Sequence, residues 1–177
     1  AKKCPGPYVL EDKVDGLTLL YTITNGVKKL YTRGRNGVGK DVSHVIPDLK
    51  LPSIETNLAV RGEIVMTEET FKRVGQGFAN ARNLVSGIIN AKDSYKPELA
   101  RELTFLAYQI MDSTATPEQQ VLQLKSLGFT IPWAAINPVL DFAHLEQIYL
   151  TRKAQAPYMM DGLDIYQNQC NAYPTEG

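Results

Sequence analysis

The stretch YVLEDKVDGLTLLYTITNGVKKLYTRG, residues 8–34, decides the fold. Its second half reads as a β-hairpin: Leu17, Leu19, Tyr21 and Ile23 alternate along one strand, Asn25-Gly26 is a tight-turn dipeptide, and a second strand covers 27–32. Its first half is another strand that carries four charges within Glu11-Asp12-Lys13-Val14-Asp15-Gly16. At the two-residue period of a strand, Glu11, Lys13 and Asp15 share one face, and Leu10, Asp12 and Val14 share the other. One face therefore presents a row of minus, plus, minus. An ion-paired, solvated sheet face is the ordinary use of such a row; a positioned lysine flanked by carboxylates is the chemical one.

Outward from this stretch, strand and helix signals interleave. TRGRNGVGKDVSHV, residues 32–45, is too rich in glycine for a regular element and predicts a loop feeding a short helix. NLAVRGEIVM, 57–66, predicts a strand interrupted at Arg61-Gly62-Glu63. Thr67 followed by Glu68 and Glu69 predicts an N-capped helix over 67–74. FANARNLVSGIINAKD, 78–93, mixes loop and helix, and LTFLAYQIMD, 103–112, is an apolar strand containing Tyr108. Thr116-Pro117 opens a helix that stops at Gly128, with Val121, Leu124 and Leu127 on one face. Phe142, Leu145, Ile148 and Tyr149 mark a further amphipathic helix, and DGLDIYQ, 161–167, a last strand. Strands dominate the first half and alternate with helices in the second, so the expected class is α+β with mostly antiparallel sheet.

Composition narrows the function classes. The 177 residues suffice for one sizeable core, and 19 Lys and Arg balance 19 Asp and Glu, so no overall positive field points to nucleic acid. Cys4 and Cys170 lie too far from each other and from closely spaced His for a zinc site or a disulfide framework, which fits a reducing compartment. No window approaches the roughly eighteen apolar residues of a membrane span, and the first ten residues lack a signal-peptide core. Both ends, AKKCPGPYVL and NAYPTEG, read as cuts through a longer polypeptide.

Several residues carry chemistry. A lysine becomes nucleophilic when burial or neighbouring positive charge lowers its pKa, and a strand fixes it better than a loop does. A carboxylate two residues away can orient the amine or help hold a metal, and Gly16 lets a phosphate approach the backbone. Arg33 suits bidentate contact with phosphate, though an exposed loop arginine is an equal alternative. Glu63, set in an apolar strand, needs a partner, either a structural Arg or Lys or a ligand hydroxyl. Tyr108 is either core or a stacking surface for a base, and Asn80, Arg82 and Asn83 also suit a turn cap. His44 and His144 are isolated and read as structural or surface residues. No Ser-His-Asp or Cys-His arrangement emerges.

In this order, EDKVDG, NGVKKLYTRGRNGVGKDV, LAVRGEIVM, FANARNLVSG, LTFLAYQI and DGLDIY resemble the adenylation domain of NAD-dependent DNA ligases, from about Tyr8 to Tyr166. The form with PGPY leading into DKVDG looks more like ligases of large DNA viruses. The resemblance implies a nucleotidyltransferase fold, two mainly antiparallel sheets flanked by helices around a nucleotide cleft. It implies that Lys13 attacks the adenylyl phosphorus of NAD⁺, releasing nicotinamide mononucleotide and leaving AMP on the lysine. The AMP then passes to a 5′-phosphate at a nick in double-stranded DNA, and the 3′-hydroxyl displaces it. By position, Glu11 would lie near adenine, Asp15 would assist Lys13 and the metal, and Arg33 and Arg82 would hold ribose or phosphate. Glu63 would bind ribose hydroxyls, Tyr108 would stack on adenine, and Asp161 would support the steps that need Mg²⁺.

The family's usual pattern also marks departures. Tyr166 stands where a nucleotide-facing lysine is usual, Asp164 where an aliphatic is, Asn90 where a basic residue is, and Arg35 and Lys40 where acids are common. The added positive charge offers contacts to DNA phosphates. Residues 1–177 are thus expected to be the core of an adenylation domain cut at both ends. The last lysine motif, an N-terminal domain that recognises the nicotinamide mononucleotide half and an oligonucleotide-binding fold would lie elsewhere in the same polypeptide. A cytoplasmic monomer is expected, unable to complete ligation as an isolated fragment. Two alternatives stay open: an ATP-dependent polynucleotide ligase, and a domain of the same fold that binds nucleotide or a partner without catalysis.

Overall fold

A computed structural model describes residues 7–34, 38–136 and 141–169. Of the residues singled out above, Cys4, Arg35 and Cys170 lie outside that set. The described chain is an α+β fold of two antiparallel sheets flanked by helices, as expected. The first sheet has three strands in the order β6-β1-β7: β1 Tyr8–Val14, β6 Ala134–Ile136 and β7 Met160–Gln167. The second has four in the order β3-β2-β4-β5: β2 Leu17–Thr24, β3 Val27–Thr32, β4 Leu58–Val65 and β5 Thr104–Ile110.

The hairpin forms for the reason its sequence gives. Asn25 (φ 52°) and Gly26 (φ 80°) both take positive φ, the twist a two-residue hairpin turn requires, and Leu19, Tyr21 and Ile23 are buried together on one face. That face meets helix α2, Ala81–Asn90, whose Leu84, Val85, Ile88 and Ile89 join the same core. Asn80 caps α2 by accepting the Asn83 N–H at 2.9 Å, and Thr67 caps α1, Glu68–Val74. Helix α4, Pro117–Ser126, opens with a reciprocal capping box between Thr116 and Gln119 and buries Val121 and Leu124. A 3-10 turn, Ser43–Asp48, is the short helix expected after the glycine-rich loop. The short helix α3, Pro97–Ala100, and the three-residue β6 carry too little pattern to be legible in the sequence.

Helix α5, Phe142–Gln155, forms where predicted: Leu145, Ile148 and Tyr149 are half-buried on one face, while Phe142 is 83% exposed and no residue of the helix is fully buried. It is held by Tyr149, which packs on the cluster of Val65, Leu106 and Tyr158, and by the polar contact of Arg152.

The two sheets are joined by segments crossing between them. The Ala107 N–H donates to the Thr130 carbonyl at 2.9 Å in the second sheet, and three residues on the Asp12 N–H donates to the Trp133 carbonyl at 3.0 Å in the first. Val65 and Leu106 from the second sheet bury against Tyr158 and Met160 at the start of β7. Among the described residues no helix is long and apolar enough to cross a membrane.

Gly16, which from sequence was expected to admit a phosphate, has a packing reason. A Cβ there would lie 2.4 Å from the Ile64 carbonyl oxygen and 2.7 Å from Val65 Cγ1, so the turn between the sheets rests directly on β4. Gly16→Ala is therefore expected to lower the unfolding free energy by about 2 kcal/mol, since backbone cannot yield as a side-chain tip can. Urea denaturation followed by circular dichroism measures it, and an unchanged midpoint would contradict the close packing.

Candidate active site

Both sheets meet around one cavity of about 220 Å³, lined from the central strands β1, β2 and β4 as well as from β5 and β7. Six of the nine residues proposed from sequence line it: Glu11 and Lys13 from β1, Arg33 just after β3, Glu63 from β4, Tyr108 from β5 and Tyr166 from β7. Strand alternation explains each placement. In β5, Phe105 and Ala107 enter the main core and Tyr108 lies on the opposite side, at the cavity wall. In β7, Asp164 and Tyr166 share a face two residues apart, and both line the cavity.

Lys13 is exposed in this cavity, opposite Gly162 of β7. A Cβ on Gly162 would lie 3.7 Å from Lys13 Cδ, so the lysine stem runs across the space that a glycine leaves. Immediately after this pair the register shifts: Lys13 pairs with Gly162, but Val14 pairs with Met160, leaving Asp161 as the extra residue of a bulge. Asp161 is exposed and does not line the cavity, though it acts electrostatically on Asp164.

Asp15 departs from the expected row. The strand ends at Val14, and Asp15 turns away from the cavity wall to pair with Arg82 at 3.5 Å, at the start of α2. The ninth candidate, Arg82, is likewise not among the residues lining the cavity. Both groups remain close enough to influence Glu63.

Glu63 is the wall's unusual acid. Burial pushes its carboxyl up to about 7; hydrogen bonds from the Thr18 hydroxyl and the Gly16 backbone, then the Arg82 charge, oppose that rise, and Asp15 adds to it. Thr18 is its direct cross-strand neighbour between β2 and β4, and so is a cavity residue that strand register identifies and residue type alone does not. Burial, then the Glu63 charge, raises the Tyr108 phenol well above the usual range, and Arg61 and Arg33 oppose it. Burial also raises Tyr166, with Asp164, Glu11 and Tyr108 adding to the effect. The two phenols are therefore neutral hydroxyls at neutral pH. Asp164 is likewise raised by burial, with Lys13 holding it down and Asp161 adding to the rise.

The other large charge in β1 went unassigned from sequence. Asp12 is buried, and its side chain accepts from Arg152 Nε at 3.1 Å and Nη2 at 2.8 Å, and from the Tyr158 hydroxyl at 3.1 Å. Arg152 also stacks over Trp133, 4.9 Å from the ring centre. Nothing local in the sequence signals a partner 140 residues away.

Among the described residues no three His, Cys, Asp or Glu side chains gather to form a metal cage. The donors near Lys13 fit a different mode, in which Mg²⁺ is held by one or two carboxylates and otherwise by ligand phosphates and water.

The family model for the NAD-dependent DNA ligase adenylation domain matches residues 2–176. The chain belongs to that family. This adenylation domain is 33% identical over 169 residues to a DNA ligase of Acanthamoeba polyphaga mimivirus, covering 92% of this chain and 27% of that protein. It is 29% identical over 181 residues to a putative DNA ligase of Invertebrate iridescent virus 6, covering 96% of this chain and 29% of that protein. The chain thus spans between a quarter and a third of the length of these relatives, both viral, in line with the likeness noted in PGPY and DKVDG. In fold it is similar to a solved structure of a Lig E DNA ligase, with a TM-score of 0.63 at 14% identity, covering 95% of this chain and 58% of that one.

The raised carboxyl of Glu63 makes a stability prediction. A folded pKa of about 7, above the ordinary 4.5, means the neutral carboxyl favours folding; that stability is fully present below about 4.5 and is lost as pH rises through about 7. Ionising Glu63 in the fold costs about 3 kcal/mol, so Glu63→Gln should be the more stable protein at pH 8 by roughly 2 kcal/mol and lose that advantage toward pH 4. Thermal unfolding of both proteins across that range tests it; a constant difference would contradict the buried, pH-sensitive carboxyl.

Proposed function

We propose that this domain is the catalytic core of an NAD-dependent DNA ligase, in which Lys13 takes AMP from NAD⁺ and the AMP is passed to a 5′-phosphate at a DNA nick. The observation that carries it is the convergence of Glu11, Lys13, Arg33, Glu63, Tyr108 and Tyr166, from five strands or strand ends, on one cavity. In the reaction the Lys13 amine attacks the adenylyl phosphorus, the bond to nicotinamide mononucleotide breaks, and a lysine–AMP phosphoramidate forms. The amine proton must leave for that attack, and the nearby acids provide acceptors for it.

Catalysis of this kind rests on positioning and on stabilising charge at the phosphate oxygens. Arg33 lines the cavity and Arg82 lies close enough to act on Glu63, and these are the cations assigned to the phosphates. Glu63, once ionised, accepts from the ribose hydroxyls, with Thr18 holding one carboxylate oxygen. Tyr108 gives adenine a flat apolar face, Glu11 closes the adenine end, and Tyr166 adds a neutral hydroxyl where the family pattern has a cation. Asp15 orients the approach beside Lys13 through its pair with Arg82. Asp161 is assigned to Mg²⁺, which when bound neutralises phosphate charge. In the whole ligase the partners are nicked duplex DNA, the domain that recognises nicotinamide mononucleotide and an oligonucleotide-binding fold, in a cytoplasmic monomer.

Asp164 and Tyr166 favour a second reading, a domain that binds nucleotide without transferring it, because both lower the positive charge that the cleft offers a phosphate. Intact-mass measurement of the chain with Mg²⁺ and either NAD⁺ or ATP separates the possibilities. A gain of one AMP from NAD⁺, absent with ATP and absent in Lys13→Ala, is expected. Gain from ATP alone would establish the other donor, and the binding-only reading is tested in the full-length protein, where loss of nick sealing in Lys13→Ala would sink it.

A further inference from the structure

The pair formed by Asp12 and Arg152 has features that stability does not explain. Its side chains are 0% and 15% exposed, and both guanidinium contacts are short. Buried ion pairs of this kind are often replaceable by apolar residues without loss of stability, because desolvation offsets the attraction. Three separate elements nevertheless converge on Asp12: Arg152 from α5, the Tyr158 hydroxyl ahead of β7, and the Trp133 carbonyl ahead of β6, which accepts the Asp12 N–H. Arg152 is in turn held against the Trp133 ring.

What lies next to Asp12 gives this convergence a purpose. Lys13 is the last residue of β1 in register with β7, and the bulge begins at the following residue. A bulge is a register defect whose extra residue here, Asp161, belongs to β7, so moving it by one residue would set Asp161 in place of Gly162 opposite Lys13 and put a side chain in the space that the lysine stem crosses. Ladder hydrogen bonds alone leave that movement open. The contacts on Asp12 oppose it, because they hold residue 12 on one face of β1, with residues 11 and 13 on the other, and tie Tyr158, just ahead of β7, to the same carboxylate.

We infer that Arg152 is a positioning residue that acts on Lys13 through Asp12, pinning the bulge so that the amine stays aimed into the cleft. The inference rests on the reading of Lys13 as the nucleophile, but its structural half does not. Arg152→Lys keeps the charge and loses the two-pronged contact. The double variant Asp12→Leu with Arg152→Leu removes the pair while leaving no buried charge unmatched, which keeps the protein folded if the single variants fail.

Two measurements on the same proteins test it. Interstrand contacts of the Lys13 amide proton by NMR report whether Lys13 still pairs with Gly162, and single-turnover AMP transfer from NAD⁺ with Mg²⁺ gives the rate and the apparent donor affinity. In the double variant the Lys13–Gly162 contact should weaken or split into more than one set, and transfer should slow on the order of 10²-fold with donor affinity retained. Arg152→Lys should fall between that variant and the native protein. A folded double variant with the native contact, or with the native transfer rate, would overturn the inference. Failure of the full-length native protein to place AMP on Lys13 would instead overturn the nucleophile assignment, with the NMR contact still deciding whether the pair pins the strand.

Discussion

A carboxylate with no exposed side-chain surface, Asp12, is bound by a guanidinium and a phenol one residue before the exposed lysine of the cleft. This constraint orders the three-stranded sheet. The Trp133 carbonyl that receives the Asp12 N–H leads into β6, Tyr158 leads into β7, and Arg152 brings α5 onto the sheet although that helix buries none of its residues fully. The larger apolar core lies on the other sheet, between β2, β4 and α2, and a smaller apolar cluster of Val65, Leu106, Tyr158 and Met160 joins the two sheets. The three-stranded sheet is thus held by that smaller cluster together with a directional polar one.

The cleft itself balances opposing charges at short range. Glu11 and Asp164 are direct cross-strand partners, with Lys13 two residues along from Glu11. Burial raises Asp164 and Glu63, and the cations Lys13 and Arg82 respectively oppose the rise. Such a site favours a ligand that brings both hydrogen-bond donors for the carboxylates and negative charge for the arginines. A nucleotide has both, in its ribose hydroxyls and its phosphates.

All strands but β6, and most helices, were legible in the sequence because their signals are local. The Asn25-Gly26 turn, the Thr67 and Thr116 caps and the alternation of β2 all act within a few residues. The six cavity residues were legible for a different reason, since the ordered blocks resemble a known family. What remained illegible depends on tertiary register. Asp15 shares a two-residue period with Lys13, yet the strand ends before it and the chain turns it toward Arg82. Asp161 falls in the bulge and not on the cavity wall. Thr18 owes its place to the pairing of β2 with β4, and Arg152 to a contact across 140 residues. The amphipathic pattern of α5 was legible at Leu145, Ile148 and Tyr149, and only Phe142 departs from it by standing exposed.

The central claim is that the cleft around Lys13 receives the adenylyl group. Its most direct test is a crystal structure of the chain grown with NAD⁺ and Mg²⁺. Electron density continuous from Lys13 Nζ to a phosphorus, with the adenine against Tyr108 and the ribose on Glu63, is the predicted result. A nucleotide seated elsewhere, or seated in the cleft with its phosphates turned away from Lys13, would contradict it.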